Sequence, residues 1–187
     1  MRISKNPEER KQEIIDTAMN LFAQKGYEFT SMSDIAKEMN VVSGLCYRYF
    51  NSKEDLYKIA VNMYAKECSA PIIEFMNKNW DDIDTFMDML SQYFISVDGK
   101  ERYHNFFHKN RNKLFHKQLE SLIISIIEPH LISLLYTWKK RNLIKTNDIE
   151  YAAKFILYGQ MPIINDYSIL PEKKMDIVKH FILKILN

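Results

Sequence analysis

The feature that most constrains the fold is the stretch Ser31–Lys53, which contains two short helical patterns separated by a turn signal. Ser31 stands three residues before Asp34, the spacing of a capping box that begins a helix. Asn40 follows the first pattern, and asparagine is, after glycine, the residue that best adopts the left-handed conformation at a helix end. A second helical pattern covers Ser43–Phe50. The stretch therefore predicts a helix-turn-helix.

The second of these helices has two chemically different faces. Cys46 and Phe50 lie four positions apart and are predicted to face inward. Tyr47, Arg48 and Tyr49 lie between them, and the three cannot all face the core. Phenol and guanidinium groups are donors to phosphates and to base edges. We therefore predict that this helix enters a DNA major groove.

A third helix start follows at once. Ser52 stands three residues before Asp55, which again has the spacing of a capping box, and Lys53 lies in the first turn. A helix N-terminus that carries a lysine is suited to holding a phosphate.

Several short motifs occur in a fixed order in the first third of the chain, namely Ala18-Met19-Asn20-Leu21-Phe22, Lys25-Gly26-Tyr27, Thr30-Ser31-Met32, Asp34-Ile35-Ala36, Val41, Gly44, Tyr47, Tyr49-Phe50 and Lys53-Glu54-Asp55-Leu56. In this order and spacing, residues 10–57 resemble the DNA-binding domain of the tetracycline-repressor (TetR) family. The resemblance implies two sets of contacts: the phosphates are held by Thr30, Tyr47, Tyr49 and Lys53, and the bases are approached by Ser43, Gly44, Leu45 and Arg48.

Two positions depart from the pattern of the family. Asn40 stands where the family usually has glycine, and Val42 stands where it usually has serine or threonine. Valine can neither cap the recognition helix nor donate to a phosphate. We expect Ser43 to cap the helix instead, so that the helix begins one residue later.

Composition extends the helical prediction to the whole chain. The 187 residues include only 4 glycines and 5 prolines, and 47% are hydrophobic, so helices and a substantial core are expected. We predict an all-α protein of about nine helices, with a three-helix DNA-binding domain at residues 1–52 and a helical effector-binding and dimerisation domain at residues 53–187. Residues 1–58 carry nine cationic and nine acidic side chains, so DNA binding would depend on individual contacts.

Prolines and polar residues indicate where the later helices begin and end. Pro71 is expected to break the helix that begins at Lys53, and Pro129 to kink or split a long helix over residues 112–141. Asn147 is expected to cap a helix that runs to about Ile164. Pro171 opens the last helix.

The last two helices carry more apolar residues than one inner face requires. We predict that they pair with those of a second copy in a symmetric four-helix interface, because a DNA site with two half-sites needs a two-fold protein. The residues proposed for the interface are Phe155, Ile156, Gly159, Ile177, Val178, Phe181, Ile182 and Ile185. A terminal helix packed into its own core is the alternative.

The second domain is rich in aromatic residues and methionine, which as a set indicate an apolar pocket for a lipophilic or aromatic effector. The candidate lining residues are Met89, Tyr93, Phe94, Phe106, Phe107, Trp138, Tyr158 and Met161. An ordinary aromatic core is the alternative for each of them.

No metal, cofactor or catalytic centre is predicted. His104 and His108 share a helical face, but no acid or thiol has matching spacing, and the cations of residues 100–117 are interpreted as a solvated face. The sequence contains neither a glycine-rich phosphate loop nor a GxSxG motif. No stretch is expected to approach a membrane span, and two cysteines in predicted helices fit a reducing cytoplasm.

The predicted function is transcriptional regulation by a homodimer that binds a palindromic operator on double-stranded DNA. The resemblance implies a repressor that a small-molecule effector releases by favouring a state with a different spacing between the recognition helices. Two alternatives remain open: a regulator controlled by a protein partner, and a helical interaction protein that has lost DNA binding.

Overall fold

The computed structural model describes residues 6–97, 102–107 and 113–187, and the predicted all-α fold class is confirmed. Within these ranges there is no strand. The helices are α1 (Pro7–Lys25), α2 (Met32–Glu38), α3 (Ser43–Tyr47), α4 (Lys53–Met76), α5 (Ile83–Val97), α6 (His104–Phe107), α7 (Lys113–Lys140), α8 (Ile149–Gly159), α9 (Met161–Ile164) and α10 (Pro171–Leu186).

The chain divides into two compact units. The first contains Met1–Tyr64 and Arg102–Leu119, and the second contains Ala65–Glu101 and Glu120–Asn187. The first unit thus extends beyond the expected boundary at residue 52, because α6 and the start of α7 pack with the N-terminal helices. The assignment of separate functions to residues 1–52 and 53–187 stays a prediction.

The core of the first unit joins the three N-terminal helices to α4 and α6. Side chains from each of these helices are almost completely buried, among them Ile14, Phe22, Ile35, Cys46, Phe50, Leu56 and Phe106. Aromatic rings fill the space beside Tyr57, whose ring centroid lies 6.1 Å from that of Phe106 and 5.0 Å from that of Phe115. Such edge-on aromatic pairs add to the stabilisation from apolar burial.

A polar cluster in the same unit ties α1 to the segment before α6. Arg102 donates to both carboxylate oxygens of Asp16, at 2.9 and 2.8 Å, and the Tyr103 hydroxyl donates to Oδ1 of Asp16 at 2.5 Å. Gln12 donates to the same Oδ1 at 3.0 Å. One carboxylate on α1 therefore accepts hydrogen bonds from three side chains.

The core of the second unit is built from parts of α4 and α7 together with α5, α8 and α10. Trp138 of α7 is 2% exposed, and its ring packs edge-on against Phe86 with a centroid distance of 5.0 Å. Phe86 also contacts Trp80 at 5.3 Å. The buried faces of α8 and α10 complete this core with residues such as Ile156 and Val178.

Pro71 does not break α4 and Pro129 does not split α7, so these two predictions were wrong, while the kink expected as the alternative at Pro129 stays a prediction. Pro71 lies inside α4 and Pro129 lies inside α7, and both helices continue past the proline. An interior proline removes one backbone hydrogen bond, but burial of the apolar face contributes more to a helix than any single bond. Ile72 beside the first proline and Leu131 near the second are buried in the core, which supplies that burial.

The region around α8 also differs from the prediction. Asn147 does not cap the helix, because α8 begins one residue later, with Asp148 at the cap position and without a capping bond from its side chain to any described residue. The helical run then ends at Gly159, and α9 begins at Met161 with Pro162 in its first turn. Pro162 favours a new helix start over continuation because its nitrogen has no hydrogen to donate.

Among the helices that the structure describes, α7 alone is long and apolar enough to cross a membrane, with a mean hydropathy of 1.4 over an 18-residue window. The expectation that no stretch approaches a membrane span was therefore wrong on length and composition. Leu131, Leu134 and Leu135 of α7 are buried in the core of the second unit. A core helix of a folded domain passes the same test.

Candidate nucleic-acid interface

Helix α2 begins with the predicted capping box. The backbone N–H of Asp34 donates to the Ser31 hydroxyl oxygen at 3.1 Å, and the backbone N–H of Ser31 donates to the Asp34 carboxylate at 2.8 Å. The Ser31 hydroxyl also donates to that carboxylate at 2.6 Å. These hydrogen bonds from the side chain and the backbone of Ser31 lower the pKa of Asp34. Two N–H groups that would otherwise lack a partner are thereby satisfied.

The turn between α2 and α3 has the predicted left-handed residue. Asn40 has a φ of 55°, and the backbone N–H of Val41 donates to the carbonyl of Ala36 at 2.9 Å, closing the end of α2. This conformation lets the chain reverse within a few residues.

Residues 43–50 separate buried and exposed side chains as predicted, although the helix itself is shorter than predicted, since α3 ends at Tyr47 and not at Phe50. Cys46 is fully buried and Phe50 is 1% exposed, and burial raises the pKa of the Cys46 thiol, which stays protonated and packs as a small apolar group. Tyr47 and Arg48 are exposed, and Tyr49 is half-buried. The face that bears the predicted base and phosphate donors is thus open to solvent.

The start of α3 corrects one expectation. Ser43 is the first residue of the helix and not its cap, because Val42 takes the cap position with an extended backbone. The carbonyl of Val42 accepts the first helical hydrogen bond from Leu45 at 2.9 Å. Ser43 and Gly44 are exposed and Leu45 is half-buried. Apart from its two neighbours in the chain and the backbone of its own helix, no described heavy atom lies within 4 Å of the place where a β-carbon on Gly44 would stand, so another molecule can approach the backbone closely.

The start of α4 is held by a variant of the expected capping box. The backbone N–H of Asp55 donates to the Ser52 hydroxyl oxygen at 3.1 Å, as predicted. The Asp55 carboxylate, however, accepts from Asn51, from its backbone N–H at 2.9 Å and from its side-chain amide at 3.1 Å. The reciprocal bond therefore comes from Asn51.

Lys53 contacts the loop between α1 and α2 from its position in the first turn of α4. Its ammonium group donates to the carbonyl of Tyr27 at 2.9 Å and lies 4.3 Å from the centroid of the Tyr27 ring. Burial, together with the nearby carboxylates of Glu54 and Glu28, raises the pKa of Tyr27 to about 12. The phenol is neutral at physiological pH, and Lys53 retains two further N–H donors for a phosphate.

Thr30 is placed differently from the other predicted DNA contacts. The residue is 2% exposed, and its hydroxyl donates to the carbonyl of Gly26 at 2.9 Å. Gly26 itself has a φ of 96°, which favours glycine. The hydroxyl of Thr30 thus stabilises the loop between α1 and α2, and its placement weighs against a phosphate contact by the side chain.

An open depression of about 480 Å³ lies beside the exposed end of α3. Tyr47 and Lys53 line it together with Phe29, which is 83% exposed and was not singled out in the sequence. Glu28, Asp34 and Glu54 add carboxylates to the lining. An exposed aromatic ring in a loop has no periodic signal, which is why the pattern did not predict Phe29.

The residues proposed for an effector pocket divide between the two units. Phe106 and Phe107 are 1% exposed in the core of the first unit, where the Phe107 ring stacks on Tyr64 with a centroid distance of 5.6 Å. Met89 and Tyr158 are 46% and 53% exposed. The other four candidates also belong to the second unit, where Tyr93, Phe94 and Met161 are half-buried and Trp138 is buried.

Trp138 has a further property that bears on a ligand. Its indole Nε1 is buried and finds no hydrogen-bond acceptor in the described part of the chain. An unpaired buried donor costs roughly 1–3 kcal/mol.

The proposed dimer residues also separate by exposure. Ile156, Val178 and Ile182 are 5%, 5% and 8% exposed and belong to the core of their own unit, so they offer little surface to a second copy, and their assignment to an interface stays a prediction. Phe155 and Phe181 are 73% and 53% exposed, Gly159 is exposed, and Ile177 and Ile185 are half-buried. Tyr151, which the apolar pattern of α8 does not single out, is 72% exposed.

Tyr151, Phe155 and Tyr158 lie at positions i, i+4 and i+7 of α8 and therefore form one exposed aromatic face. We call these three residues the α8 aromatic face.

The histidines considered for a metal site fall where the structure gives no side-chain description. His108 lies outside the described residues, as do Lys100, Glu101, Lys109 and Arg111 of the cationic segment, and the side chain of His104 is not described. Across residues 6–97, 102–107 and 113–187, no group of three metal-ligating side chains occurs.

Comparison with known proteins identifies relatives of the N-terminal region. Residues 14–59 match the sequence model for bacterial regulatory proteins of the tetR family. The biofilm operon icaADBC HTH-type negative transcriptional regulator IcaR of Staphylococcus epidermidis is 35% identical over 96 residues, which are 50% of this chain and 49% of IcaR. The HTH-type transcriptional regulator YuxN of Bacillus subtilis is 27% identical over 176 residues, which are 91% of this chain and 60% of YuxN.

A solved structure extends the likeness to the whole fold. A crystal structure described as a TetR-family transcriptional regulator of Mesorhizobium loti superposes with a TM-score of 0.70 and 21% identity, covering 97% of this chain and 98% of that one. At this identity the likeness concerns the fold. The matches to IcaR and YuxN span about half and three fifths of those proteins.

Proposed function

We propose, on the premise that the chain belongs to the TetR family of bacterial regulatory proteins, that it binds duplex DNA as a homodimer and regulates transcription. The observation that carries the proposal is the division of α3 and the turn after it, where Cys46 and Phe50 anchor the segment in the core while Ser43, Gly44, Tyr47 and Arg48 are exposed. A short helix anchored on one face and polar on the other is what the major groove accepts.

The dimer follows from the symmetry that such a site requires. A palindromic operator presents two half-sites about one helical turn apart, so two recognition helices must be held at that spacing. The α8 aromatic face, together with Phe181 of α10, provides exposed apolar surface for a two-fold contact. Exposed aromatic rings that gather on one helix face are typical of protein interfaces.

We further propose that the protein is a repressor which a small lipophilic or aromatic effector releases from DNA. The negative regulation named for IcaR supports repression. The buried and unpaired Nε1 of Trp138 supports a ligand with a hydrogen-bond acceptor, which would satisfy this donor within an apolar surrounding. The effector would act by binding one conformational state more tightly than the other, and α4 is the element that would transmit the change, since it is continuous over Lys53–Met76.

DNA binding can be tested even though the operator sequence is unknown. Duplexes that bind the full-length protein are selected from a random library, and their affinity is measured by fluorescence anisotropy at low salt beside a scrambled duplex. The proposal predicts a palindromic selected sequence, two protomers per duplex, and binding at least about a thousandfold tighter than to the scrambled duplex. A protein that is dimeric in solution but binds both duplexes equally would contradict it.

A second candidate, a regulator controlled by a protein partner, is favoured by the dispersal of the predicted effector residues. Phe106 and Phe107 lie in the packed core of the first unit, and Met89 is 46% exposed. Native mass spectrometry of the purified protein distinguishes the two candidates. A co-purifying small molecule that is lost in a Trp138→Phe variant supports the effector, and a ligand-free protein that captures a regulatory subunit supports the partner.

A further inference from the structure

Val42 is an apolar side chain at the point where DNA would be read, and nothing within the described chain accounts for it. It is 73% exposed and immediately precedes α3, next to the exposed Ser43 and Gly44. An isolated exposed valine is common on protein surfaces and needs no explanation by itself. Val42, however, lies at the N-terminal end of the proposed recognition helix, which is the end that contacts base edges in proteins of this kind. In the proposed complex its side chain would therefore face the floor of the major groove.

Capping does not explain the residue. Valine is among the poorest residues at the cap position, and the helix start receives no side-chain hydrogen bond from it. Neither can it hold a phosphate, since its side chain has no donor. The contact that remains open to an exposed isopropyl group is apolar.

The major groove offers one apolar group, which is the C5-methyl group of thymine. The exposed edges of guanine, adenine and cytosine present hydrogen-bond donors and acceptors instead, and an isopropyl group would desolvate them without compensation. The open space around Gly44 permits the backbone beside Val42 to come close to the base pairs.

We infer that Val42 is a specificity-determining residue that packs against a thymine methyl group in each half-site. The inference rests on the proposed DNA-binding function and adds one sequence requirement to it, a T·A pair beneath the start of α3. Val42, a departure from the serine or threonine usual at this position in the family, would thus change which base is preferred and would leave DNA binding intact.

Deoxyuridine provides the test, because it pairs as thymidine does and lacks only the methyl group. Each thymidine of the selected duplex is replaced in turn by deoxyuridine, and the affinity of the wild-type full-length protein is measured by anisotropy. At one position in each half-site, replacement by deoxyuridine should weaken binding about fourfold. Replacement at this position in both half-sites together should weaken binding about tenfold or more. This arm needs no protein variant and so does not depend on variant folding.

A variant then assigns the effect to Val42. In Val42→Ala the thymidine and deoxyuridine duplexes should bind equally well at the sensitive position, whereas Leu114→Ala, which shortens another exposed apolar residue of the first unit, should retain the difference. Selective binding with no deoxyuridine-sensitive position, or a sensitivity that persists in Val42→Ala, overturns the inference and leaves the DNA-binding proposal standing. Absence of any selective binding overturns the proposed function itself, and the inference with it.

Discussion

Tyr47 is the last residue of α3 and Arg48 its C-cap, and both are exposed, but their side chains are suited to different partners on DNA. A phenol offers one hydroxyl, which suits a single phosphate oxygen. A guanidinium offers a planar fork that matches the two acceptors on the major-groove edge of guanine. Exposure alone does not separate these roles, but the dependence of affinity on sequence does.

We expect Arg48→Ala to lose about 1–3 kcal/mol of binding free energy on the selected duplex. The variant should also lose the preference for one particular base at one position of each half-site. Tyr47→Phe, which removes only the hydroxyl, should weaken binding by about the same factor for every duplex. That factor should be smaller than the loss caused by Arg48→Ala on the selected site. Lys58→Ala is the control for Arg48→Ala, because it removes an equal charge from the exposed side of α4. Anisotropy on a panel of single-base variants measures all three, and an unchanged preference in Arg48→Ala would show that Arg48 does not read a base.

The cap of α2 gives a second prediction for single residues, this time on pH. Hydrogen bonds from Ser31 lower the pKa of Asp34, so the ionised carboxylate stabilises the folded state above the unfolded pKa, and this contribution is lost as pH falls through the folded pKa. In Ser31→Ala the pKa of Asp34 should rise toward its ordinary value, and the acid-dependent part of the stability should shrink. The pH dependence of the Asp34 carboxyl carbon shift in NMR measures the pKa.

Ser33→Ala is the matched control, since Ser33 is an exposed serine on the same helix and two positions away. The Ser33→Ala substitution should leave the pKa of Asp34 unchanged. Equal shifts in the two variants would mean that the capping bonds are not what lowers the pKa.

At the scale of elements, the starts of α2 and α4 and the tight turn between α2 and α3 were predictable because they depend on neighbours in sequence. The capping serines Ser31 and Ser52 and the left-handed Asn40 all act within four residues of their partners. The effects of Pro71 and Pro129 were not predictable in the same way. Whether a helix tolerates a proline depends on how much of its apolar face is buried by distant elements, and a local pattern does not contain that information.

The turn between α2 and α3 yields a prediction on stability. Asn40 has a φ of 55°, a conformation that costs a residue with a β-carbon about 1 kcal/mol and that asparagine tolerates better than alanine. Asn40→Ala should therefore lower the free energy of unfolding by about 1 kcal/mol, whereas Asn40→Gly should change it by less than about 0.5 kcal/mol. Urea denaturation followed by circular dichroism provides the measurement.

Asn142 offers an internal comparison, because its φ of 58° is almost the same and it belongs to the second unit and not to the helix-turn-helix. The Ala and Gly variants at Asn142 should repeat the stability pattern without changing DNA affinity. If Asn40→Ala were as stable as the wild type, the left-handed conformation would not be what limits this position.

For the whole molecule, the sequence predicted which helices carry apolar residues but not which of these residues remain exposed. Ile156 and Phe155 are adjacent on α8, yet the first is buried in the core and the second is 73% exposed. Their exposure depends on where α10 and α7 pack, which periodicity within one helix does not determine. For the same reason the predicted effector residues included Phe106 and Phe107, which fill the core of the first unit.

The exposed residues, rather than the buried ones, should therefore control assembly. If the α8 aromatic face forms the two-fold contact, Phe155→Glu places two negative charges in the interface, because each protomer contributes one copy of the substituted residue. Burial of a phenylalanine side chain contributes about 1.5–3 kcal/mol, and an unpaired buried carboxylate opposes association further. The variant should be monomeric at micromolar concentration, by light scattering after size-exclusion chromatography, while the wild type is dimeric.

Phe29→Glu makes the same change on a ring that is even more exposed, at 83%, and that belongs to the first unit, and this variant should leave the dimer mass unchanged. A palindromic site requires two linked recognition helices, so the monomeric Phe155→Glu variant should also lose most of its affinity for the full site. Its affinity for an isolated half-site should equal that of the wild type, because a half-site contacts only one helix-turn-helix. A Phe155→Glu protein that remains dimeric would place the two-fold contact elsewhere on the molecule, and a wild-type protein that is monomeric when it binds a palindrome would contradict the requirement for a preformed pair.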